Sequence, residues 1–438
     1  MALTLLFTWA FAAYVVAAPA TQTSNHHETG RHPGVANQYI IQYHEDHNPI
    51  ERLQHEIFVH STTTRYSAYS GIIRTFSIGN FQGYHAHLSD DVASGLASGS
   101  ASHLIKGVFP DGIVTVSSPT TFARHQRRAT GSTIAPAVDR NTTFGNIRTQ
   151  QSATWGQARI SHRRPNATSY TYDDGSPTVY HIDTGIQLSH HEFAGKDSYG
   201  QPRVRWGQNF IPGSSDTDDD GHGTHTAGTI GGVTYGVAPR TRILAAKVFD
   251  GQGQGSWSGV IAALDWACAD AVGRNATGLS IINMSLGGGN YPPVNDAVAA
   301  VARAGMSIFV SAGNSGADVK DCSPANSPYV ITVGATDDAD NRADFSNWGA
   351  GLDLFAPGVG VLSAGLGPSN EETAIMSGTS QAAPHVAGVA AYLMMQYGWH
   401  TPAQMRKRLK NLASKDVVVN PGDGSPNLIV FNGNSAFA

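Results

Sequence analysis

The sequence predicts an α/β protein: a parallel sheet flanked by helices, preceded by a small α+β unit. Three observations carry this. From about residue 150 onward, strand-like and helix-like segments alternate, the pattern of a parallel sheet covered by helices. Residues 38–117 run strand, helix, strand, strand, helix, strand, the order of a ferredoxin-like unit. Charged residues make up only 14% of the 438 positions and glycine occurs 49 times, which favours a compact, turn-rich enzyme over a disordered or coiled-coil chain.

Taken in order, residues 1–20 are apolar and end in small residues. They read as a secretory signal, too short for a membrane span. Tyr39–Tyr43 alternates apolar and polar residues as a strand does, a helical stretch follows near 48–60, and Ile72–Leu88 is strand-like. Asp90–Ser98 reads as a helix and Gly112–Val116 as the last strand of the first unit. Residues 118–150 lose apolar periodicity and read as a linker. Arg127 and Arg128 within it are either a processing site or two solvated arginines.

The main unit spans 151–438. Its expected strands are Thr178–Ile182, Ile243–Phe249, Ser280–Leu286, Ser307–Ser311 and Val330–Ala335, with helices at Trp257–Val272 and Val294–Ala304 among others. Thr401 is a helix N-cap, with Pro402 at the first helical position.

A formal charge of −5 without a long basic run gives no sign of a nucleic-acid or membrane partner. Two cysteines, Cys268 and Cys322, exclude a cysteine-stapled scaffold and leave open one bridge or two buried thiols. Asn141, Asn166 and Asn275 open glycosylation triplets. Asn283 opens another, inside an expected buried strand.

Three residues can together activate a nucleophile. A serine hydroxyl needs a base and a site for the developing oxyanion. Ser380 lies among small residues and a helix follows it through Leu393, so a backbone N–H and a helix dipole lie beside it. His222, in Asp220-Gly-His-Gly-Thr-His, is flanked by residues too small to block access. Asp183 ends an apolar strand and precedes Thr-Gly. The carboxyl ends of strands are where open α/β sheets build their sites. Singly these are an N-cap serine, a core histidine and a turn aspartate; jointly they are specific. The lipase order of serine, acid, histidine is not available after Ser380, because Asp416 and Asp423 follow both His385 and His400. A zinc reading fails too: His55 and His60 have the wrong spacing, and His222 and His225 lack an obvious third ligand.

The segments around Asp183, His222 and Ser380, in that order, resemble the subtilase signatures, and Asp–His–Ser is the chain order of the subtilisin triad. Further matches at 155–162, 283–289, 312–314, 345–349 and 384–388 resemble the proteinase K branch, and within it fungal vacuolar and alkaline proteases of the cerevisin kind. The resemblance implies a subtilisin-like fold over roughly 150–434 and an inhibitory propeptide over 38–117. It implies a serine endopeptidase of broad specificity, made as a zymogen, acting through an acyl-enzyme. Asn314 becomes the oxyanion donor, joined by the Ser380 N–H. Gly253, Gln254 and Gly255 on one side and Ser285, Leu286 and Gly287 on the other clamp an extended peptide.

Ala312 and Gly313 line a pocket for a large apolar or aromatic side chain, and Trp257 either borders a second pocket or is core. Asp353, with the carbonyls of Pro328 and Val330, matches a structural calcium site; no catalytic metal is implied. The expected partners are protein or peptide substrates and the chain's own propeptide. The chain is expected to be a monomer and secreted, with a vacuolar destination as the alternative. Several residues depart from the family. Gln381 replaces a usual methionine, and Thr226 replaces a cysteine, so thiol dependence is not expected. Arg163 stands where a second calcium site has threonine, and His181 interrupts an apolar strand, where a buried partner is expected for it. The acidic run Asp216, Asp218, Asp219 and Asp220 reads as a solvated loop. The competing reading is a binding protein on the same scaffold, which would require a replaced triad or oxyanion residue; none is replaced.

Overall fold

The computed structural model of the chain describes residues 34–63, 68–99, 101–116, 125–127, 147–173, 177–398 and 400–434. The signal segment, Asn141, Arg128 and most of the expected linker lie outside them.

Residues 34–116 form the strand–helix–strand–strand–helix–strand unit that the pattern predicts. Its strands are Gly34–Tyr43, Gly71–Ile78, Phe81–His87 and Ile105–Val116, and its helices are Pro49–Thr63 and Asp90–Ser98. In sequence order the strands lie 4-1-3-2, all antiparallel. Ser89 caps the second helix through Val92 N–H, as a serine before an acidic first turn should.

The main unit is built on a sheet whose central strands run parallel. From one edge they are Val204–Asn209, Arg242–Lys247, Thr178–Asp183, Ser280–Met284, Ser307–Ser311, Ile331–Thr336 and Leu354–Pro357. Leu428–Ile429 extends the far side in parallel, and Ser414–Lys415 closes that edge antiparallel. In chain order the seven central strands read 2-3-1-4-5-6-7, so the winding reverses between Thr178–Asp183 and Ser280–Met284, a position where α/β sheets form sites.

Both faces of the sheet are covered, and strand alternation divides the core. Tyr180, Ile182, Ile282, Met284, Ile308 and Val310 pack in one cluster with helices Trp257–Gly273 and Pro292–Arg303. Val179, Ile243, Ile281, Phe309 and Val333 pack in a second cluster with helices His222–Gly231 and Thr379–Tyr397. This alternation follows from side chains pointing to opposite faces at successive strand positions.

Two expectations change. The strand forecast over Ser280–Leu286 divides at Ser285 into Ser280–Met284 and a separate Leu286–Gly289. The linker is shorter than 118–150, because Ile147–Gln150 pairs with Tyr170–Asp173. Within it, His125–Arg127 adds a strand to Thr373–Met376. Cys268 and Cys322 are unbridged. Among the described residues no helix is long and apolar enough to cross a membrane.

Candidate functional site

Asp183, His222 and Ser380 lie on three elements; a hydrogen bond joins Asp183 to His222, while Ser380 Oγ donates to Ser285 O rather than to His222. Asp183 ends the switch-point strand, His222 starts helix His222–Gly231, and Ser380 is the second residue of helix Thr379–Tyr397. His222 Nδ1 lies 2.7 Å from Asp183 Oδ1, which also accepts the Thr184 N–H at 2.7 Å. A carboxylate only accepts, so Nδ1 carries the proton and the lone pair sits on Nε2. His222 Nε2 is buried and has no hydrogen-bond partner among the described residues.

Burial, the largest single influence, disfavours the imidazolium of His222, but the charge and hydrogen bond of Asp183, with Asp220 and Asp218 adding to them, together hold the ring above the ordinary histidine range. Burial likewise opposes the Asp183 charge, while His222 and the hydrogen bonds to the carboxylate bring its pKa below the ordinary value.

The acidic run is not simply a solvated loop. Asp218 is buried. Its Oδ1 accepts N–H groups from Asp220 and Gly221, and its Oδ2 accepts Thr224 N–H and hydroxyl at 2.8 and 2.7 Å. It therefore satisfies donors at the start of the His222 helix. Thr184 hydroxyl donates to Asp218 Oδ1 and accepts from Gly223 N–H, both at 2.8 Å, locking the helix start to the residue after Asp183.

His181 finds the buried partners expected of it. Its Nε2 lies 3.0 Å from Gly223 O and 3.1 Å from Thr226 Oγ1, and also 3.7 Å from Asp183 Oδ2. Burial, the largest influence, lowers its pKa against the pull of Asp183. His225 is not a metal ligand: its Nε2 faces the carbonyls of Val361 and Ala374 at 3.0 and 3.2 Å. Among the described residues no group of three or more histidine, cysteine or acidic side chains could hold a metal.

Asn314 sits beside the nucleophile helix. Its Oδ1 accepts both the N–H and the hydroxyl of Thr379 at 2.8 Å. A backbone donor fixes which end of the amide is oxygen, so the NH2 faces away from Thr379. Gly313 N–H donates to Thr379 Oγ1 at 3.1 Å. Gly313 has φ of +101°, and a Cβ there would come within 2.4 Å of Asn347 Nδ2; glycine is required on both counts. Ser311, Ala312, Gly313, Asn314, Gly288 and Cys322 line a cavity of about 660 Å³ that Thr115 and Val116 also border. Burial raises the Cys322 pKa, so its sulfur lines the wall as a thiol.

Gln254–Ser256 and Leu286–Gly289 lie on either side of the strand Ile105–Val116. Gln254, Gly255 and Ser256 pair antiparallel with Thr115, Val114 and Ile113. On the other side Leu286 and Gly287 pair antiparallel with Val116 and Thr115. Gly253 O accepts Val116 N–H at 3.0 Å. A Cβ at Gly255 would meet Val248 O at 2.0 Å, so only glycine fits this edge.

Ser285 joins the site differently, through Ser380: its hydroxyl donates to Ser380 O at 2.9 Å and its carbonyl accepts Ser380 Oγ at 3.2 Å. Among the described residues Trp257 reads as core rather than as the border of a second pocket. It is fully buried, stacked on Tyr291 at 5.4 Å, and clustered with Val114.

Asp353 and the carbonyls of Pro328 and Val330 are brought together, but Arg406 and Lys410 already bind all three. Two cationic side chains in the donor set do not suit a divalent cation. Asn166 and Asn275 are exposed at positive φ, whereas Asn283 is fully buried.

The reading of the residues alone missed Thr379, Thr184, Asp218 and Asn347. Thr379 directly precedes Ser380 in Gly378-Thr-Ser380, and that adjacency is the one available signal.

A match to the subtilase family spans residues 174–429. Subtilisin-like protease 2 of Pseudogymnoascus destructans is 41% identical over 381 residues, covering 86% of this chain and 84% of that one. The cuticle-degrading protease of Metarhizium anisopliae is 44% identical over 291 residues, 66% of this chain and 72% of its own. Among solved structures, a cold adapted subtilisin-like serine proteinase at 40% identity aligns with a TM-score of 0.59, covering 64% of this chain and 98% of its own.

Proposed function

This chain belongs to the subtilase family of serine endopeptidases, and on that premise we propose that Asp183, His222 and Ser380 are its catalytic triad and that it is made as a self-processing, secreted precursor. The observation that carries the triad is the His222–Asp183 hydrogen bond, which leaves Nε2 as the basic nitrogen. Ser380 Oγ attacks the scissile carbonyl carbon while His222 Nε2 takes its proton. The tetrahedral oxyanion is met by Asn314 NH2 and the Ser380 N–H. Collapse breaks the C–N bond, and His222 returns the proton to the leaving amine. Water then releases the acyl group by the same base. Every proton in this sequence moves between side chains and reactants.

Residues 34–116 support an inhibitory role. The strand end Ile113–Val116 fills the groove between Gln254–Ser256 and Leu286–Gly289 as an extended substrate would. Its docking is reinforced away from the groove. Asp111 accepts Ser258 N–H at 3.0 Å and Ser258 hydroxyl at 2.6 Å, and Asp296 accepts from Gln42 and Lys106 at 2.9 and 2.6 Å. The cavity beyond Val116 is walled by small residues, which suits a large apolar or aromatic side chain before the cut. Because binding is mainly main-chain pairing, broad specificity follows. Glycosylation at Asn166 and Asn275 accords with their exposure.

The test is expression of the precursor beside its Ser380→Ala variant, with intact mass and hydrolysis of an apolar-P1 peptide as readouts. Loss of residues 34–116 and peptide cleavage by the unaltered chain alone is the expected result. Equal maturation by both chains would remove the self-processing model, and cleavage by the variant would remove Ser380 from its role.

A further inference from the structure

Asp353 stands just before strand Leu354–Pro357 and is 6% exposed. Its backbone N–H donates to Thr332 O at 2.9 Å and its Oδ2 accepts Thr332 N–H at 3.1 Å, so the carboxylate is pinned to the neighbouring strand. Its other oxygen faces helix Pro402–Leu412. There Lys410 Nζ lies 2.7 Å and Arg406 Nε 3.4 Å from Oδ1. Arg406 and Lys410 are four apart and share a helix face. The guanidinium reaches further: Nη1 donates to Pro328 O at 2.7 Å and Nη2 donates to Val330 O. One buried carboxylate and two carbonyls therefore converge on two fixed positive charges.

We infer that Arg406 and Lys410 replace a calcium ion at this position, so that the chain carries its own cation and the C-terminal helix is locked to the sheet without metal. The chemistry of the donor set supports this. Calcium needs six to eight oxygens at about 2.3–2.6 Å. An ion placed among Asp353, Pro328 and Val330 would meet an ammonium and a guanidinium already bonded to those oxygens. The planar guanidinium fork matches two carbonyls a residue apart, a geometry that a lysine alone could not satisfy. Lys410 then neutralises the buried carboxylate, which would be expensive to leave unpaired. Where an ion would dissociate in a chelator, these side chains are covalently part of the helix.

The experiment is thermal melting of the full chain carrying Ser380→Ala, which prevents self-cleavage, in EGTA and in excess calcium. The same measurement is made with Arg406→Gln/Lys410→Gln added, and separately with Asp353→Asn added. The expected result is one Tm for the parent in both buffers. The double variant should melt lower in EGTA and recover in calcium. A calcium-dependent rise of the parent Tm that Asp353→Asn abolishes would overturn the inference, because an ion would then displace both side chains. Terbium gives a readout that requires no altered folding. Bound to the carbonyls of Pro328 and Val330, it would be sensitised by the intervening Tyr329. No Tyr329-dependent emission is expected from the parent, and emission lost in Tyr329→Leu would count against the built-in cation.

Discussion

Ser285 holds Ser380 from both ends: its hydroxyl donates to the Ser380 carbonyl at 2.9 Å, and its own carbonyl accepts the Ser380 hydroxyl at 3.2 Å. The first contact has a specific cause. Pro384, four residues on in helix Thr379–Tyr397, has no N–H to give the Ser380 carbonyl its helical bond. Ser285 supplies the missing donor from the strand that leaves the central sheet.

Ser285→Ala should therefore destabilise the chain by about 1–3 kcal/mol, the usual range for a buried carbonyl left unpaired. It should also lower turnover by loosening the nucleophile. Pro384→Ala restores a helical N–H, so the double variant should be less destabilised than the sum of the two single changes. Denaturant unfolding of the four Ser380→Ala proteins gives the coupling; strict additivity would show that Ser285 does not serve this carbonyl.

In the proposed mechanism His222 must be neutral at Nε2 to accept the proton of Ser380. Its pKa is raised, because Asp183, Asp220 and Asp218 together outweigh burial. Activity should therefore fall as pH decreases through a value above the ordinary histidine pKa of 6.5. Asp183→Asn removes the charge and the fixed tautomer, and turnover should drop by about 10⁴-fold. A kcat/KM profile locates the acid limb. A limb below pH 6.5 in the mature enzyme would contradict the pairing seen here.

In the proposed mechanism Thr379 orients Asn314, whose NH2 would meet the oxyanion. Asn314→Ala should lower kcat by about 100- to 1,000-fold with little change in KM. Thr379→Val keeps the backbone donor to Asn314 Oδ1 but loses the hydroxyl, so a loss of about tenfold is expected, one hydrogen bond's worth. Steady-state kinetics on matured enzyme separates them. A Thr379→Val loss as large as that of Asn314→Ala would mean that the hydroxyl does more than orient the amide.

Much of this architecture was legible because local pattern and tertiary role coincide. Thr178–Asp183 is a buried parallel strand and reads as one; Asp90–Ser98 carries its cap and acidic first turn in plain view. The helix His222–Gly231 was not legible. All ten residues are buried, so it has no polar face and shows no amphipathic period. The break at Ser285 was equally hidden, since an apolar run does not reveal where a strand leaves the sheet. Asp218 was misread because a run of aspartates looks solvated; only the folded loop shows one of them turned inward onto Gly221 and Thr224. The cation at Asp353 was out of reach for another reason. The two basic residues that bind it lie more than fifty positions away, in a helix whose sequence displays them as ordinary surface charges.

Buried neutral histidines should set the acid stability of the precursor. Burial brings His85 and His385 down to about 4 and His225 down to about 3. His225 Nε2 faces carbonyls, and His225 Nδ1 has no hydrogen-bond partner among the described residues, so a second ring proton finds no acceptor there. In the unfolded chain these rings titrate near the ordinary histidine value of 6.5. Between pH 6.5 and 4 the unfolded state therefore binds more protons than the folded one, and stability must rise with pH across that window. On acidification from neutrality the Ser380→Ala precursor should lose on the order of 1–3 kcal/mol per buried histidine by pH 4. His225→Gln, which cannot titrate, should flatten the slope even if it lowers stability at neutral pH. Urea midpoints at half-unit pH steps would show this, and an unchanged slope in the variant would mean that His225 is already protonated in the folded chain.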